Sequence, residues 1–192
     1  MKIGILALQG DFERHQVLIT NLNVDSLQVR QPHDLEQCQG LIIPGGESTT
    51  LIKLLIETGL FQLIPKFGEK YPIFGTCAGL ILLAKEVVNN PVESFGLIDV
   101  TVERNAYGRQ INSFIGGVDL ELNGKAQKLE GVFIRAPKIV KIGEGVKILG
   151  KYYNEIVIVE KDKHLASTFH PELSDSRLIH QYFLSKVKSF VR

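Results

Sequence analysis

Short apolar runs and amphipathic runs alternate along the first half of the chain. Lys2 to Leu8, Ser26 to Arg30, Gly40 to Gly46 and Pro72 to Gly75 read as strands. Phe12 to Leu22, Glu47 to Thr58, Phe61 to Lys70 and Ala78 to Val88 read as helices. Phe12, His15, Ile19 and Leu22 recur at helical spacing. Glu47, Ser48 and Thr49 are the residue types that helix starts prefer, and Gly59 is a stop. Strands that are apolar throughout, with helices between them, predict a parallel sheet covered on both faces.

The pattern changes after residue 97. Ile98 to Glu103, Gly117 to Glu121, Val132 to Ile134, Val146 to Tyr153, Glu155 to Lys161 and Leu165 to Phe169 read as strands, several with a period of two. That period belongs to half-exposed antiparallel strands. Asp175 to Val191 reads as a closing helix. There is no internal repeat or linker. One α/β domain over residues 1–192 is expected, mostly parallel in its central sheet, with an antiparallel β elaboration in the second half.

Composition narrows the partners. The 192 residues carry 22 basic and 21 acidic side chains, a net charge of +1. No field of one sign results, so nucleic acid and anionic membrane are excluded as expected partners. The start of the chain turns polar too soon for a signal peptide, and no apolar run approaches the ~20 residues of a membrane span. A cytoplasmic protein is expected. Cys38 and Cys77 supply neither a disulfide framework nor metal-ligand spacing.

Chemistry concentrates at Gly75-Thr76-Cys77-Ala78-Gly79. This is a G-x-S-x-G elbow with cysteine as the nucleophile. A sharp strand-to-helix turn lifts the side chain above the sheet, and only small neighbours fit around it. The helix that starts there favours the thiolate, and the Ala78 N–H is placed for a developing oxyanion. The structural alternative is a small buried cysteine in a tight turn. Cys38 has no such setting and reads as structural.

Of the five histidines, His15, His33, His164 and His180 sit in amphipathic or charged contexts and read as solvated surface residues. His170 differs, because it ends an apolar strand and precedes Pro171 and Glu172. Extended geometry would project Glu172 beside the imidazole, where its carboxylate orients the ring. His170 then exchanges protons with Cys77 and the leaving group. The alternative makes Glu172 a cap for the last helix.

Cys77 in GTCAG together with His170 and Glu172 in HPE resembles the triad of class I glutamine amidotransferases. The blocks ALQGDFERH, LIIPGGESTT, FGTCAGLILLAKE, VERNAYGRQ, GVFIRAP and TFHPEL resemble the glutaminase-subunit family of pyridoxal 5′-phosphate synthase over essentially the whole chain. The resemblance implies a flavodoxin-like three-layer fold. It implies hydrolysis of L-glutamine to L-glutamate and ammonia through a cysteine thioester. It also implies delivery of the ammonia to a separate synthase subunit, a (β/α)8 barrel that builds the vitamin B6 cofactor. No cofactor or metal is implied for this chain.

Carried over residue by residue, Cys77 is the nucleophile, His170 the acid/base and Glu172 the orienting carboxylate. Gly46, Glu47, Ser48, Arg104, Ile134 and Arg135 match substrate-binding positions. Gly46 and Ala78 match the oxyanion hole, and Gln9-Gly10 a loop that responds to the partner. A glutamine zwitterion would suit such a set, with Arg104 or Arg135 forked onto its carboxylate. Glu47 either faces the ammonium or caps a helix, and Arg135 either touches substrate or orders the pocket. Arg109 reads as a surface residue. Three rivals compete with this reading, and the motifs argue against each: a subunit of another amidotransferase, a cysteine hydrolase or peptidase on the same scaffold, and a non-catalytic binding or regulatory module that kept the fold.

Overall fold

The computed structural model describes residues 1–104 and 113–190. In chain order the elements are β1 (Lys2–Leu6), α1 (Phe12–Asn21), β2 (Asp25–Val29), α2 (Pro32–Leu35), β3 (Gly40–Ile43), α3 (Ser48–Glu57), α4 (Leu63–Lys70), β4 (Ile73–Thr76) and α5 (Ala78–Leu83). There follow β5 (Ala84–Val88), β6 (Ile98–Glu103), β7 (Ser113–Leu122), β8 (Lys125–Ile134), β9 (Lys138–Ile142), β10 (Val146–Tyr152), β11 (Glu155–Lys161), β12 (His164–Ser167), a 3-10 turn (Pro171–Leu173) and α6 (Leu178–Phe190).

Nine strands form one sheet in the order β2-β1-β3-β4-β12-β11-β10-β7-β8. The first five run parallel. From β11 onward each strand is antiparallel to its neighbour. A second sheet, β5-β6-β9, stands apart. The mixed sheet with helices on both sides agrees with the expected fold class.

Strand periodicity divides the core. Leu41, Ile43 and Ile73 pack with α3, α4 and α5, whereas Ile42 and Phe74 pack on the other face with Ile19 of α1 and Phe183 of α6. Consecutive side chains of a strand point to opposite faces, so a fully apolar strand supplies both layers.

Three expectations need correction. The helix expected over Ala78 to Val88 stops at Leu83, because Ala84 turns to ψ 150° and leads a strand that pairs with β6. β7 and β8 are longer than expected, ten residues each, and form a hairpin. β9 falls in a stretch for which no strand is expected. Among the described residues no helix is long and apolar enough to cross a membrane.

Candidate active site

Four loops follow the carboxyl ends of β1, β3, β4 and β12, where parallel sheets bind their ligands. They converge on a cavity of about 380 Å³. Its wall includes Gln9, Gly10, Gly46, Glu47, Ser48, Cys77, Arg104, Ile134, Arg135 and His170. Sequence reading missed Asp11, Gly45, Ile81 and Pro137, which complete it. Ala78 is fully buried beside Cys77 rather than on the wall. The residues of RNAYGRQ after Arg104, Arg109 among them, lie outside the described residues.

Cys77 sits at φ 49°, ψ −101°, an unusual conformation for a residue with a side chain. Close packing enforces it. A Cβ on Gly75 would stand 2.5 Å from the backbone of Gly79, so strand and helix meet with nothing between them. On the facing loop, a Cβ on Gly45 would stand 2.3 Å from His170 Cε1 and 3.1 Å from Cys77 Cβ. Glycine at 45 therefore lets thiol and imidazole share one space.

His170 Nδ1 lies 2.7 Å from Glu172 Oε1, with both side chains almost wholly buried. The contact was expected, but its geometry was not. Residues 171–173 form a 3-10 turn instead of extended chain, and the turn brings the carboxylate back under the ring. Burial works against a charged imidazole here. Hydrogen bonds to Cys77 and Glu172, and their charges, outweigh it and raise His170 to about 10. Burial likewise opposes ionisation of Glu172. The imidazoles of His15 and His170 that face it overcome this and hold the carboxyl well below its ordinary range.

Glu47 caps α3, accepting from the Thr49 and Thr50 amides at 3.0 and 2.7 Å. Partial burial opposes its ionisation, yet the Thr49 hydroxyl, which also donates to it, and these amides bring its carboxyl down to about 2. Arg104 Nη2 lies 3.5 Å from Glu47 Oε1, and Nη1 donates to the Asn90 carbonyl at 3.0 Å. Glu47 thus caps the helix and still borders the cavity beside a guanidinium. Arg135 is exposed at φ 43°. Gln9 packs on Gly46, and its Oε1 is buried without a hydrogen-bond partner among the described residues.

The histidines correct the sequence reading most. His33 is exposed as expected, but His15, His164 and His180 are buried. His15 and His180 stand directly behind Glu172. The signal was present for His15, which shares a helical stripe with Phe12, Ile19 and Leu22. Cys38 is buried as a structural cysteine should be, and burial lifts its thiol to about 11. Asp11, His170 and Glu172 bring one ligand-type atom each within 4.8 Å of one another. His170 Nδ1 and Glu172 Oε1 already pair with each other, so the set reads as a proton-handling group.

A family model described as the SNO glutamine amidotransferase family matches residues 5–189. The chain belongs to that family. It is 48% identical over 189 residues to the pyridoxal 5′-phosphate synthase subunit PdxT of Thermosipho africanus, covering 98% of this chain and all of that protein. The PdxT of Pseudothermotoga lettingae is 50% identical over 186 residues, covering 96% and 94%. A crystal structure of a glutamine amidotransferase superposes with a TM-score of 0.89 at 43% identity, covering 97% of this chain and 98% of that one. PurLQS from Thermotoga maritima, at 16% identity and a TM-score of 0.74 over 100% and 99% of the two chains, shares the fold alone. The likeness at the level of residues is therefore to pyridoxal 5′-phosphate synthase subunits.

Proposed function

We propose that this chain hydrolyses L-glutamine to L-glutamate and ammonia as the glutaminase half of pyridoxal 5′-phosphate synthase. The observation that carries the chemistry is the strained Cys77 on the cavity wall, with the His170–Glu172 pair packed against it. The near-full-length likeness to PdxT proteins supports the substrate and the pathway.

Cys77 Sγ attacks the side-chain carboxamide carbon. As the C–N bond breaks, His170 gives its proton to the nitrogen and ammonia leaves. A water then adds to the thioester carbon, with its proton going to His170. The C–S bond breaks, and that proton returns to sulfur. Glu172 holds the ring and balances the imidazolium charge in both halves. The Gly46 and Ala78 amides stabilise the oxyanion, each worth roughly 3 kcal/mol of barrier.

Arg104 takes the α-carboxylate, with Glu47 offered to the ammonium once substrate draws Arg104 away. Ser48, Ile134 and Arg135 complete the pocket. The ammonia passes to a synthase subunit of (β/α)8 barrel fold, in the cytoplasm. Gln9 and Gly10 form the loop that the partner resets. The orphaned Gln9 oxygen against Gly46 supports a resting loop still short of its working arrangement.

The test mixes the protein with its synthase partner, supplies glutamine and measures glutamate. Turnover that disappears in Cys77→Ala is expected. An inert mixture, or undiminished turnover in Cys77→Ala, would overturn the proposal.

A further inference from the structure

Glu172 has two oxygens, and the reaction uses only one. Oε1 meets His170 Nδ1. Oε2 is buried, and among the described residues no donor reaches it with full hydrogen-bond geometry. A buried carboxylate oxygen left so is costly. The group that faces it is His15 Nε2, at 3.3 Å, with both side chains fully buried. Asp11, another acid, stands nearby and can only compete for the same protons.

The row continues inward. His15 Nδ1 lies 2.9 Å from His180 Nε2 on α6. His180 packs edge-on against Phe74 at 5.9 Å. Burial pushes His180 down to about 3, so it is neutral. Its Nδ1 has no partner among the described residues.

One placement of protons with both rings neutral suits every contact. His180 donates from Nε2 to His15 Nδ1. His15 then carries its proton on Nε2 and aims it at Glu172 Oε2. The bare Nδ1 of His180 is the atom left without a partner among the described residues. With the donor reversed, a neutral His15 would turn a lone pair toward the carboxylate. The order of the row thus selects the tautomer of His15 that Glu172 needs.

We infer that His15 is a positioning residue: it clamps Oε2 of Glu172 so that Oε1 stays on His170 Nδ1, and His180 fixes the tautomer of His15. The inference rests on the proposed glutaminase reading. His15 touches neither substrate nor thiol, so its effect falls on turnover rather than on substrate affinity.

The experiment compares His15→Leu, His15→Gln and His180→Phe in the complex with the synthase partner. His15→Leu should lower kcat roughly 10–100-fold, as losing an outer-shell orienting group does, with KM changed less than about twofold. His15→Gln should recover most of kcat, because its amide nitrogen can stand where Nε2 stood. His180→Phe should cost less than His15→Leu, again in kcat.

An unchanged kcat in His15→Leu, or an equal loss in the Leu and Gln variants, would overturn the inference. If His15→Leu does not fold, His180→Phe decides by the same split, and full turnover there overturns it. Alkylation of Cys77 by iodoacetamide, followed by mass, needs neither substrate nor partner. It should slow in His15→Leu and recover in His15→Gln, and equal rates would overturn the inference. If the wild-type complex makes no glutamate, the glutaminase reading fails and the alkylation rates alone decide the positioning role.

Discussion

A Cβ placed on Gly79 would lie 2.2 Å from the carbonyl oxygen of Ile43. The first turn of α5 therefore rests directly on the end of β3, and backbone meets backbone with no side chain able to yield. Gly79→Ala should push the elbow away from the sheet. It should destabilise the fold by about 3 kcal/mol, the upper part of the usual overpacking range, and lower kcat further by moving Cys77. Chemical denaturation and glutamate release measure the two effects.

His170 and Glu172 should separate by the size of their effects. His170→Asn removes the group that moves the proton and should cost at least about 10³-fold in kcat. Glu172→Gln keeps a hydrogen-bonding side chain at 172 and should cost less. Steady-state kinetics of the two variants in the complex check the order, and a larger loss in Glu172→Gln would reverse the assigned roles.

Arg104 bears on binding. Its guanidinium reaches both Glu47 and the Asn90 carbonyl, a forked arrangement that a lysine cannot copy. Arg104→Lys should raise KM for glutamine at least about tenfold, with a smaller change in kcat. Glu47→Ala should also lose the cap on α3, about 1 kcal/mol of stability. Thermal unfolding of Glu47→Ala and Glu47→Asp would separate the cap from the charge.

Acid should weaken the fold through His164. Its Nδ1 accepts from the Ile73 amide at 3.2 Å, and burial, aided by nearby lysines, brings it from 6.5 down to about 4. The native state keeps the ring neutral while the unfolded chain protonates it. The unfolded state thus binds more protons between about pH 6.5 and 4, and stability falls as pH drops through that window. The contribution is at most about 3 kcal/mol. His164→Asn retains an acceptor without the titration. It should flatten the stability-versus-pH curve over that window, as urea unfolding at several pH values would read.

Partner dependence should be marked. With Gln9 packed on Gly46, the isolated chain should release glutamate much more slowly than the complex. Assaying both at equal concentrations of this chain tests it. Equal rates would show that the loop needs no partner.

Legibility from sequence followed the range of the forces involved. Parallel strands and the elbow were readable because their signals are local: apolar runs, a glycine pair around a cysteine, a helix start. The end of α5 was not, because Lys85 and Glu86 suit a helix and only pairing with β6 makes them a strand. The His170–Glu172 contact was foreseen for the wrong local reason, since a turn rather than extended chain creates it. His15 and His180 were misplaced because imidazoles look polar one at a time. Their burial depends on each other and on Glu172, an arrangement made by three distant segments. Glu47 could not be resolved in advance, and the structure shows it capping α3 while still bordering the cavity.

β12 lies between β4 and β11, pairing Ser167 with Thr76 and Leu165 with Phe74. The strand that leads to His170, the proposed base, is therefore the keystone that joins the parallel half of the sheet to the antiparallel half. During synthesis the cysteine emerges long before this strand does, and it has no base beside it until the sheet closes. A ribosome-bound or half-folded chain should therefore leave glutamine intact. The wasteful reaction is withheld until the glutaminase itself is whole.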